Sequence, residues 1–307
     1  MNGGSSLDLA LACWDAGVFP SLFCQYWSEE GDNRYSIVEE TLKKFKKITG
    51  SCDIVLALDE KELFDIKMIN VIKDSKISHL EIFAKNIKNI NEYQHLFDIF
   101  GKKYEEQLSK ILKKLYPIKF IWRATNVPLT EKNFYNIPLH QKHFAYALKG
   151  SDAAGVNGKC TTMELFLTYK KINPYAATLI PYGGIGTPKQ VNEYISAGAI
   201  AVAIGTLFAS SKESPLSLET KKIMINSNKN NMIKLENTNQ NSLILGDIEK
   251  VYQDNSEWNR SESLNKGLYG DGKQGHIYVG NAIEHITEIK SVKEIVEYLV
   301  SELPKKL

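Results

Sequence analysis

Short apolar runs alternate along the chain with longer segments in which apolar residues recur at helical spacing. The apolar runs predict seven strands: VFPSLF, DIVLAL, SHLEIF, IKFIWRA, FAYALKG, TLIPYGG and AIAVAIG. Helices are predicted over SLDLALACWDAG, SIVEETLKKFKKITG, KELFDIKMINVIKD, YEEQLSKILKKLY, TTMELFLTYKKI, TPKQVNEYISAG and SVKEIVEYLVSEL. Alternating strands and helices form parallel sheets, because parallel neighbours need crossover connections. The pattern predicts an α/β fold, and eight such units would close a TIM-type (β/α)8 barrel.

The alternation stops near the C-terminus, where residues 226–275 are polar and rich in turn-forming residues. Such a composition is also typical of disorder, and that alternative stays open. We favour an inserted cap or small subdomain, because SLILGDIEKVY and the aromatic residues around it need a surface to pack on. The predicted organisation is a barrel over residues 1–225, the inserted segment over 226–275, and a return to the barrel over 276–307.

Composition narrows the range of partners. The chain has 38 basic and 36 acidic residues, a net charge of +2, and arginine only at Arg34, Arg123 and Arg260. Binding of nucleic acid or of an anionic membrane favours clustered cations with arginine, so neither partner is expected. The cysteines are scattered without a C-x-x-C pair, which predicts neither disulfides nor a metal site. Without a long apolar run or a secretory signal pattern, the sequence predicts a cytoplasmic protein.

Two consecutive strand ends carry residues that suit an anion. PYGGIGTPKQV places Gly183 and Gly184 after an apolar run, and VAIGTLFAS places Gly205 and Thr206 after the next one. Glycine lets the backbone approach an anion closely, and the N–H groups at a helix start carry the positive end of its dipole. One glycine pair alone would indicate only a turn, but two such motifs in tandem are typical of the phosphate site of many barrels.

These segments resemble a known family. The stretch PYGGIGTPKQVNEYISAGAIAVAIGTLFASSKESPLSLETKK is similar to that of nitronate monooxygenases, formerly called 2-nitropropane dioxygenases, and of the related flavin-type enoyl-acyl-carrier-protein reductases. The opening MNGGSSLDLALACWDAGVFPSL resembles the first segment of that family. GDGKQGHIYVGNAIEHITEIKSVKEIVEYL resembles its C-terminal segment, with Asn281 in place of the usual Gln. The resemblance covers both ends and the second half of the chain, and is poor over residues 60–140.

The resemblance implies an FMN-binding TIM barrel and a set of cofactor contacts. Backbone atoms at the glycine motifs would hold the FMN phosphate, and Ala57 to Asp59 would replace a family segment that touches the flavin ring. Tyr182 replaces a small residue before the glycines and would either stack on the flavin or fill the barrel core. The full set of implied cofactor contacts is Met1, Asn2, Ala57, Lys149, Gly183, Gly184, Gly205 and Thr206, with Met1 and Asn2 against the isoalloxazine.

The chain departs from the family pattern in two places. The first barrel strand of the family precedes the segment that resembles residues 1–22, so the sequence as given predicts a barrel that lacks its first strand. The family loop G-x-E-A-G-G-H-x-G corresponds to GSDAAGVNG here, with Asp152 at the Glu and Val156 at the His. That His serves as base or proton donor, and an isopropyl group cannot transfer protons. An anionic nitronate could still be oxidised, whereas a neutral nitroalkane would need another base.

Candidate catalytic groups remain in and around this loop. Asp152 lies at the mouth of a predicted barrel strand, where catalytic side chains of this fold occur, although it could simply cap the following turn. Asn157 could donate a hydrogen bond to substrate, or form a turn. Lys149 could favour an anionic reduced flavin by its charge, or be solvated. His276 could reach back over the flavin if the inserted segment folds as a lid.

The sequence therefore predicts an FMN-dependent oxidoreductase that resembles nitronate monooxygenase and acts on a nitronate or a related small substrate. Three alternatives stay open: an enoyl-thioester reductase, a phosphate-binding barrel without flavin, and a flavin-binding relative that has lost catalysis. The expected partner is a small-molecule substrate, and a homodimer is left open.

Overall fold

The computed structural model describes residues 5–23, 33–83, 107, 110–125, 143–172, 178–235, 240–246 and 260–304. Its strands are β1 (Ser21–Phe23), β2 (Val55–Asp59), β3 (His79–Phe83), β4 (Lys119–Ala124), β5 (His143–Leu148), β6 (Gly155–Val156), β7 (Thr178–Pro181), β8 (Met232–Leu235), β9 (Gln240–Leu245) and β10 (Gly275–Tyr278). Its helices are α1 (Leu7–Asp15), α2 (Asn33–Thr49), α3 (Ile66–Ser75), α4 (Thr162–Ile172), α5 (Pro188–Ser196), α6 (Thr206–Ala209), α7 (Leu218–Ile225), α8 (Arg260–Tyr269) and α9 (Val292–Leu299). Short 3-10 helices cover Glu60–Phe64, Lys229–Asn231 and Asn281–His285.

A six-stranded parallel sheet forms the centre of the fold, in the order β1-β2-β3-β4-β5-β7. Each strand comes from one of the predicted apolar runs, so six of the seven predicted strands are confirmed. The seventh run, AIAVAIG, is reduced to one parallel bridge between Tyr182 and Ala203. Among the described residues no ladder joins Ala203 to β1, so these strands form an open arc of a barrel.

Local sequence signals set the helix ends. In α5, Thr187 accepts a hydrogen bond from the Gln190 N–H, Gln190 caps the Thr187 N–H in return, and Pro188 begins the helix. The segment KELFDIKMINVIKD forms a 3-10 turn and then α3, so the prediction of one continuous helix is wrong. The carboxylate of Asp65 explains the break, because it accepts from the N–H groups of Lys67 and Met68 and starts a new helix there.

The apolar core has two layers. The larger cluster lies between the sheet and the surrounding helices, and a smaller one fills the inside of the arc with Val55, Ile121, Ala145 and Ala147. Helix α1 packs against α9 through Cys13, Val292 and Val296. The helical layer thus continues between the two ends of the open sheet. None of the described helices is both long and apolar enough to cross a bilayer.

A second, antiparallel sheet is built largely from the region predicted to be an insertion. Strand β9 pairs with β8 and β10, and also with the two-residue strand β6 of the loop GSDAAGVNG. Helix α8 packs so closely on β10 that a side chain on Gly267 would collide with the His276 backbone. Strand β10 crosses the proposed boundary between residues 275 and 276, because all four of its residues pair with β9.

Candidate active site at the carboxyl edge of the sheet

Parallel pairing brings most of the predicted site residues to one edge of the sheet. Lys149 follows β5 and Tyr182 follows β7, and the two positions are adjacent because the Tyr182 N–H bonds to the Leu148 carbonyl at 2.8 Å. Ala57 lies inside the arc in contact with Phe23 and Phe83. Met1 and Asn2 lie outside the described residues, and their predicted contact with flavin stays a prediction.

The glycine pair after β7 packs directly on the loop that follows β5. Gly183 and Gly184 have φ values of +99° and +74°, which L side chains rarely adopt. A side chain on Gly183 would lie 2.7 Å from the Ala153 Cα, and one on Gly184 would lie 2.5 Å from Asp152 Oδ2. Backbone conformation and close packing therefore already require glycine at both positions, whether or not a phosphate binds there.

The second motif offers open space. Gly205 precedes α6, and nothing lies within 4 Å of the point where its Cβ would be. The first N–H groups of a helix have no partner within the helix, so those at Thr206 and the next residues can donate to an anion. The Thr206 hydroxyl accepts the Gly280 N–H at 3.0 Å and is thereby tied to the C-terminal segment. Gly205 and Thr206 thus fit a phosphate group.

Asp152 acts as a cap in the structure. Its Oδ1 accepts from the Thr162 N–H at 2.9 Å and from the Thr162 hydroxyl at 2.5 Å, at the first residue of α4. Its main-chain carbonyl accepts the Asn281 N–H at 2.9 Å. The capping interpretation therefore accounts for the position of this carboxylate, and a catalytic role for Asp152 stays a prediction.

Two asparagine amides hold the loop. Asn157 donates to the Ala153 and Ser151 carbonyls at 3.2 and 3.4 Å, and Asn241 of β9 donates to the same two carbonyls at 2.9 and 2.7 Å. Gly155 pairs with Asn241 in the second sheet. The amide of Asn157 is thus directed into its own loop, and its predicted bond to substrate stays a prediction. The inserted strand fixes the loop where the family His would lie.

Replacing Asn241 by alanine should lower the free energy of unfolding by about 1–2 kcal/mol, because two buried carbonyls lose a donor. The change should also speed amide hydrogen exchange at Ser151, whose N–H bonds to the Cys160 carbonyl at 2.7 Å. Denaturant unfolding and exchange measured by mass spectrometry test both effects. Ser242→Ala is the matched control, because the neighbouring Ser242 hydroxyl is buried without a hydrogen-bond partner among the described residues. Equal exchange in both variants would contradict the clamping role.

Inside the arc, two charged side chains form a buried ion pair. The Arg123 Nε and a terminal nitrogen of the same guanidinium lie 2.6 and 2.5 Å from Glu81 Oε1, and the two side chains are 10% and 8% exposed. The guanidinium carbon lies 4.6 Å from the centre of the Phe83 ring, which stacks on Phe23 at 5.0 Å. Guanidinium groups commonly lie over aromatic faces in this way. The mouth of the arc is therefore lined by aromatic rings and one paired cation.

A second cation lies beside this pair. The Lys149 Nζ lies 5.4 Å from the centre of the Tyr182 ring, and the Arg123 guanidinium carbon lies 5.1 Å from the same ring. Within the described part of the chain, Lys149 makes no ion pair. Withdrawal from water, reinforced by the Arg123 charge, lowers the pKa of Lys149 to about 7, although Glu81 opposes the shift. One carboxylate thus faces two cations, and the mouth suits an anionic ligand.

Sequence reasoning missed Glu81 and Arg123 as parts of the site. Their signal was a charged residue inside an apolar strand, in HLEIF and in KFIWRA. A charge at such a position is rarely buried without a partner. His276 is buried and its Nδ1 lies 2.9 Å from the Ser263 hydroxyl, inside the region formed by β10 and α8. Val156 contributes its backbone to the pairing of β6 with β9.

The fold defines an α/β barrel protein in which most of the predicted site residues lie at the carboxyl ends of the strands. The family model for nitronate monooxygenase matches residues 144–302, just over half of the chain. The chain belongs to the nitronate monooxygenase family. A comparison with curated proteins gives no match.

Solved structures with the same fold include FabK from Thermotoga maritima. It shares 18% identity at a TM-score of 0.73, over 98% of this chain and 90% of that one. A point variant of FabK gives 19% identity and a TM-score of 0.74, over 98% and 89%. A nitroalkane oxidase from Streptomyces ansochromogenes gives 15% identity and a TM-score of 0.71, over 98% and 92%. At these identities the likeness establishes the fold, which is that of a TIM-type barrel.

Proposed function

We propose that the protein is an FMN-dependent oxidoreductase that oxidises a nitronate or a related small anion. Membership of the nitronate monooxygenase family carries this proposal, because the matched segment contains the proposed phosphate cradle, which consists of Gly183, Gly184, Gly205 and Thr206. Bound FMN would supply a ring nitrogen, N5, that accepts electrons from the substrate, while the protein supplies position and electrostatics. The two cations at the mouth support an anionic substrate or an anionic reduced cofactor.

In this proposal, one group of residues would bind the FMN phosphate and a second group would lie beside the flavin ring. The N–H groups at Gly205 and Thr206 would hold the phosphate, with the backbone of Gly183 and Gly184 beside them. The ring of Tyr182, directly before the glycine pair, would lie next to the flavin. Lys149 would stabilise negative charge, and Ala57 would leave room for the ring system at the mouth.

We also propose that residues 226–275 act as a cap on a barrel formed by residues 1–225 and 276–307. The pairing of β9 with β6, and the Asn241 bonds to the loop, support this division. Such a cap would keep water from the reacting atoms. A homodimer, a cytoplasmic location and the absence of nucleic acid remain proposals, and sedimentation analysis tests the first of them.

The visible absorption spectrum of the purified protein tests the cofactor proposal. Flavin bands and release of FMN in stoichiometric amount are expected, followed by bleaching of the bands when a nitronate is added without oxygen. A colourless protein that takes up no added FMN would overturn the proposal. Bleaching by a reduced nicotinamide but by no nitronate would favour the enoyl-thioester reductase alternative instead.

Gly205→Ala should weaken FMN binding by about tenfold, because a methyl group enters open space beside the phosphate donors and removes about 1.5 kcal/mol of interaction. Stability without FMN should change little, since nothing lies within 4 Å of the new group. Gly50→Ala is the matched control, because its methyl group also meets nothing while the φ of +72° is unfavourable. It should lower stability and leave FMN affinity unchanged. Fluorescence titration and thermal melting distinguish the two patterns.

A further inference from the structure

The site described above lacks an evident group for moving protons. The His position of the family loop holds Val156, and the Asp152 carboxylate is engaged by Thr162. A nitronate is already an anion and needs no base, whereas a neutral nitroalkane must first lose the proton on the carbon that bears the nitro group. Among the described residues, the remaining titratable groups at the mouth are Asp59 at the end of β2, Glu81, Tyr182 and Lys149, beside the Arg123 guanidinium.

We propose that Lys149 is the general base of this protein, and that its amine takes the α-proton of a neutral nitroalkane at the mouth of the barrel. The proposal rests on the proposed function and extends its substrate class from nitronates to their neutral conjugate acids. Arg123 is assigned the positioning role, because its fixed positive charge lies next to the place where the substrate anion forms.

The geometry favours Lys149 over its neighbours. The main-chain N–H of Lys149 donates to the Ala124 carbonyl at 2.8 Å, which anchors the residue in the sheet. Lys149 thus lies at the end of β5, where catalytic side chains of this fold occur. Glu81 is held by Arg123, and the Tyr182 hydroxyl has a pKa raised by burial, which makes it a poor base at neutral pH. The Lys149 amine faces Tyr182 from one side and lies in the field of Arg123, so its proton is released more easily than that of a solvated lysine.

The proton transfer balances without any oxidant. The neutral Lys149 amine forms a bond to the α-hydrogen, the carbon–hydrogen bond breaks, and its electron pair forms the carbon–nitrogen double bond of the nitronate. The negative charge moves to the nitro oxygens, and the lysine becomes an ammonium ion. The product anion then lies beside two cations, Lys149 and the largely buried Arg123, and attraction between charges is stronger away from bulk water. Arg123 thus both promotes deprotonation of Lys149 and stabilises the product.

Glu62 is the strongest competing base among the described residues. Its Oε2 accepts the Asp59 N–H at 2.9 Å, its buried Oε1 makes no hydrogen bond to the described residues, and burial raises its pKa. The charged groups that act on it are Arg34 of α2, Asp59 at the end of β2 and Asp65 directly before α3. None of its described contacts involves the residues around Lys149. Glu62→Gln therefore separates the two candidates.

Exchange of the α-hydrogens of nitroethane in heavy water tests the proposal directly. Proton NMR follows the loss of the α-hydrogen signal in the presence of the purified holoprotein, and this readout needs no electron transfer. The protein should accelerate exchange by about 100-fold over an equal concentration of free alkylamine, a common gain for a positioned base. The rate should rise with pH around pH 7 and then level off, because Lys149 is neutral above its pKa.

Three variants decide the outcome. Lys149→Ala and Lys149→Arg should both lose the accelerated exchange, since arginine keeps the charge but does not deprotonate. Added methylamine should restore part of the exchange to Lys149→Ala and not to Lys149→Arg, a rescue that a merely structural role would not produce. Glu62→Gln should retain the wild-type rate. Wild-type exchange in Lys149→Ala, or loss of exchange in folded Glu62→Gln, would overturn the proposal.

The failure of this proposal can be told apart from failure of the proposed function. Oxidation of a preformed nitronate by the wild-type protein tests the flavin chemistry alone. If nitronate is oxidised but nitroethane does not exchange, the base assignment is wrong and the proposed function stands. If nitroethane exchanges but nitronate is not oxidised, the base assignment stands and the proposed function fails.

Discussion

Replacing Glu81 by glutamine is expected to lower the free energy of unfolding by about 3–5 kcal/mol, the usual cost of removing one partner of a buried ion pair. Arg123 would keep its positive charge with a side chain only 10% exposed, beside Lys149, which carries a positive charge only below its lowered pKa. Neither cation makes another ion pair among the described residues. Chemical denaturation at neutral pH measures the loss.

The double variant Glu81→Leu with Arg123→Met is the control for that result. Removing both charges together leaves neither Glu81 nor Arg123 as a buried ion without its partner, and such replacements are often neutral or stabilising. The double variant should therefore recover most of the stability lost in Glu81→Gln. A loss below about 1 kcal/mol in Glu81→Gln would be typical of a solvated pair and would contradict the burial of this one.

The pH dependence of Glu81→Gln follows from the same charges. The pKa of Lys149 is already lowered to about 7, and Glu81 is the group that opposes the shift. Without Glu81 the pKa of Lys149 should fall further. Between its folded pKa and its higher unfolded pKa, Lys149 binds more protons in the unfolded state, so stability rises with pH across that window and is lowest below it. The variant should consequently lose more stability at acidic than at alkaline pH.

Gly183→Ala is expected to be the most damaging change at the cradle, with a loss of about 3 kcal/mol in stability and of measurable FMN binding. The new methyl group would lie 2.7 Å from the Ala153 Cα, a main-chain atom that cannot turn away, and the φ of +99° adds strain. The loop after β5 would have to move as a unit, and Asp152 with it. Thermal melting and FMN titration on the same preparation measure both losses.

Gly50→Ala is the control that separates the cost of backbone strain from the cost of a steric clash with the added methyl group. It has a similarly unfavourable φ of +72° and nothing within 4 Å of the added group. Strain alone should cost about 1 kcal/mol there. If Gly183→Ala cost no more than Gly50→Ala, the loop would be able to move aside, and the close packing of the loop on the cradle would not matter for stability.

The structure adds what local sequence patterns do not contain, namely the contacts between segments that are distant along the chain. AIAVAIG is apolar enough for a strand, but it forms only one parallel bridge, between Tyr182 and Ala203. At Asp152, which follows a strand, the carboxylate accepts from the distant Thr162 N–H, and the predicted catalytic role stays a prediction. The polar composition of residues 226–275 left disorder open, whereas β9 is ordered by pairing with β8, β10 and β6.

The sequence by itself determined the alternation of strands and helices, the parallel sheet and the positions of the two glycine motifs. These features depend on side-chain periodicity and on turn residues within a few positions, and parallel strands necessarily bring their carboxyl ends to one edge. Only the tertiary structure decided that Glu81 meets Arg123, 42 residues away, and that Lys149 lies beside them with a pKa near 7. Charge burial depends on which distant segments exclude water from a group, and no local pattern encodes that environment.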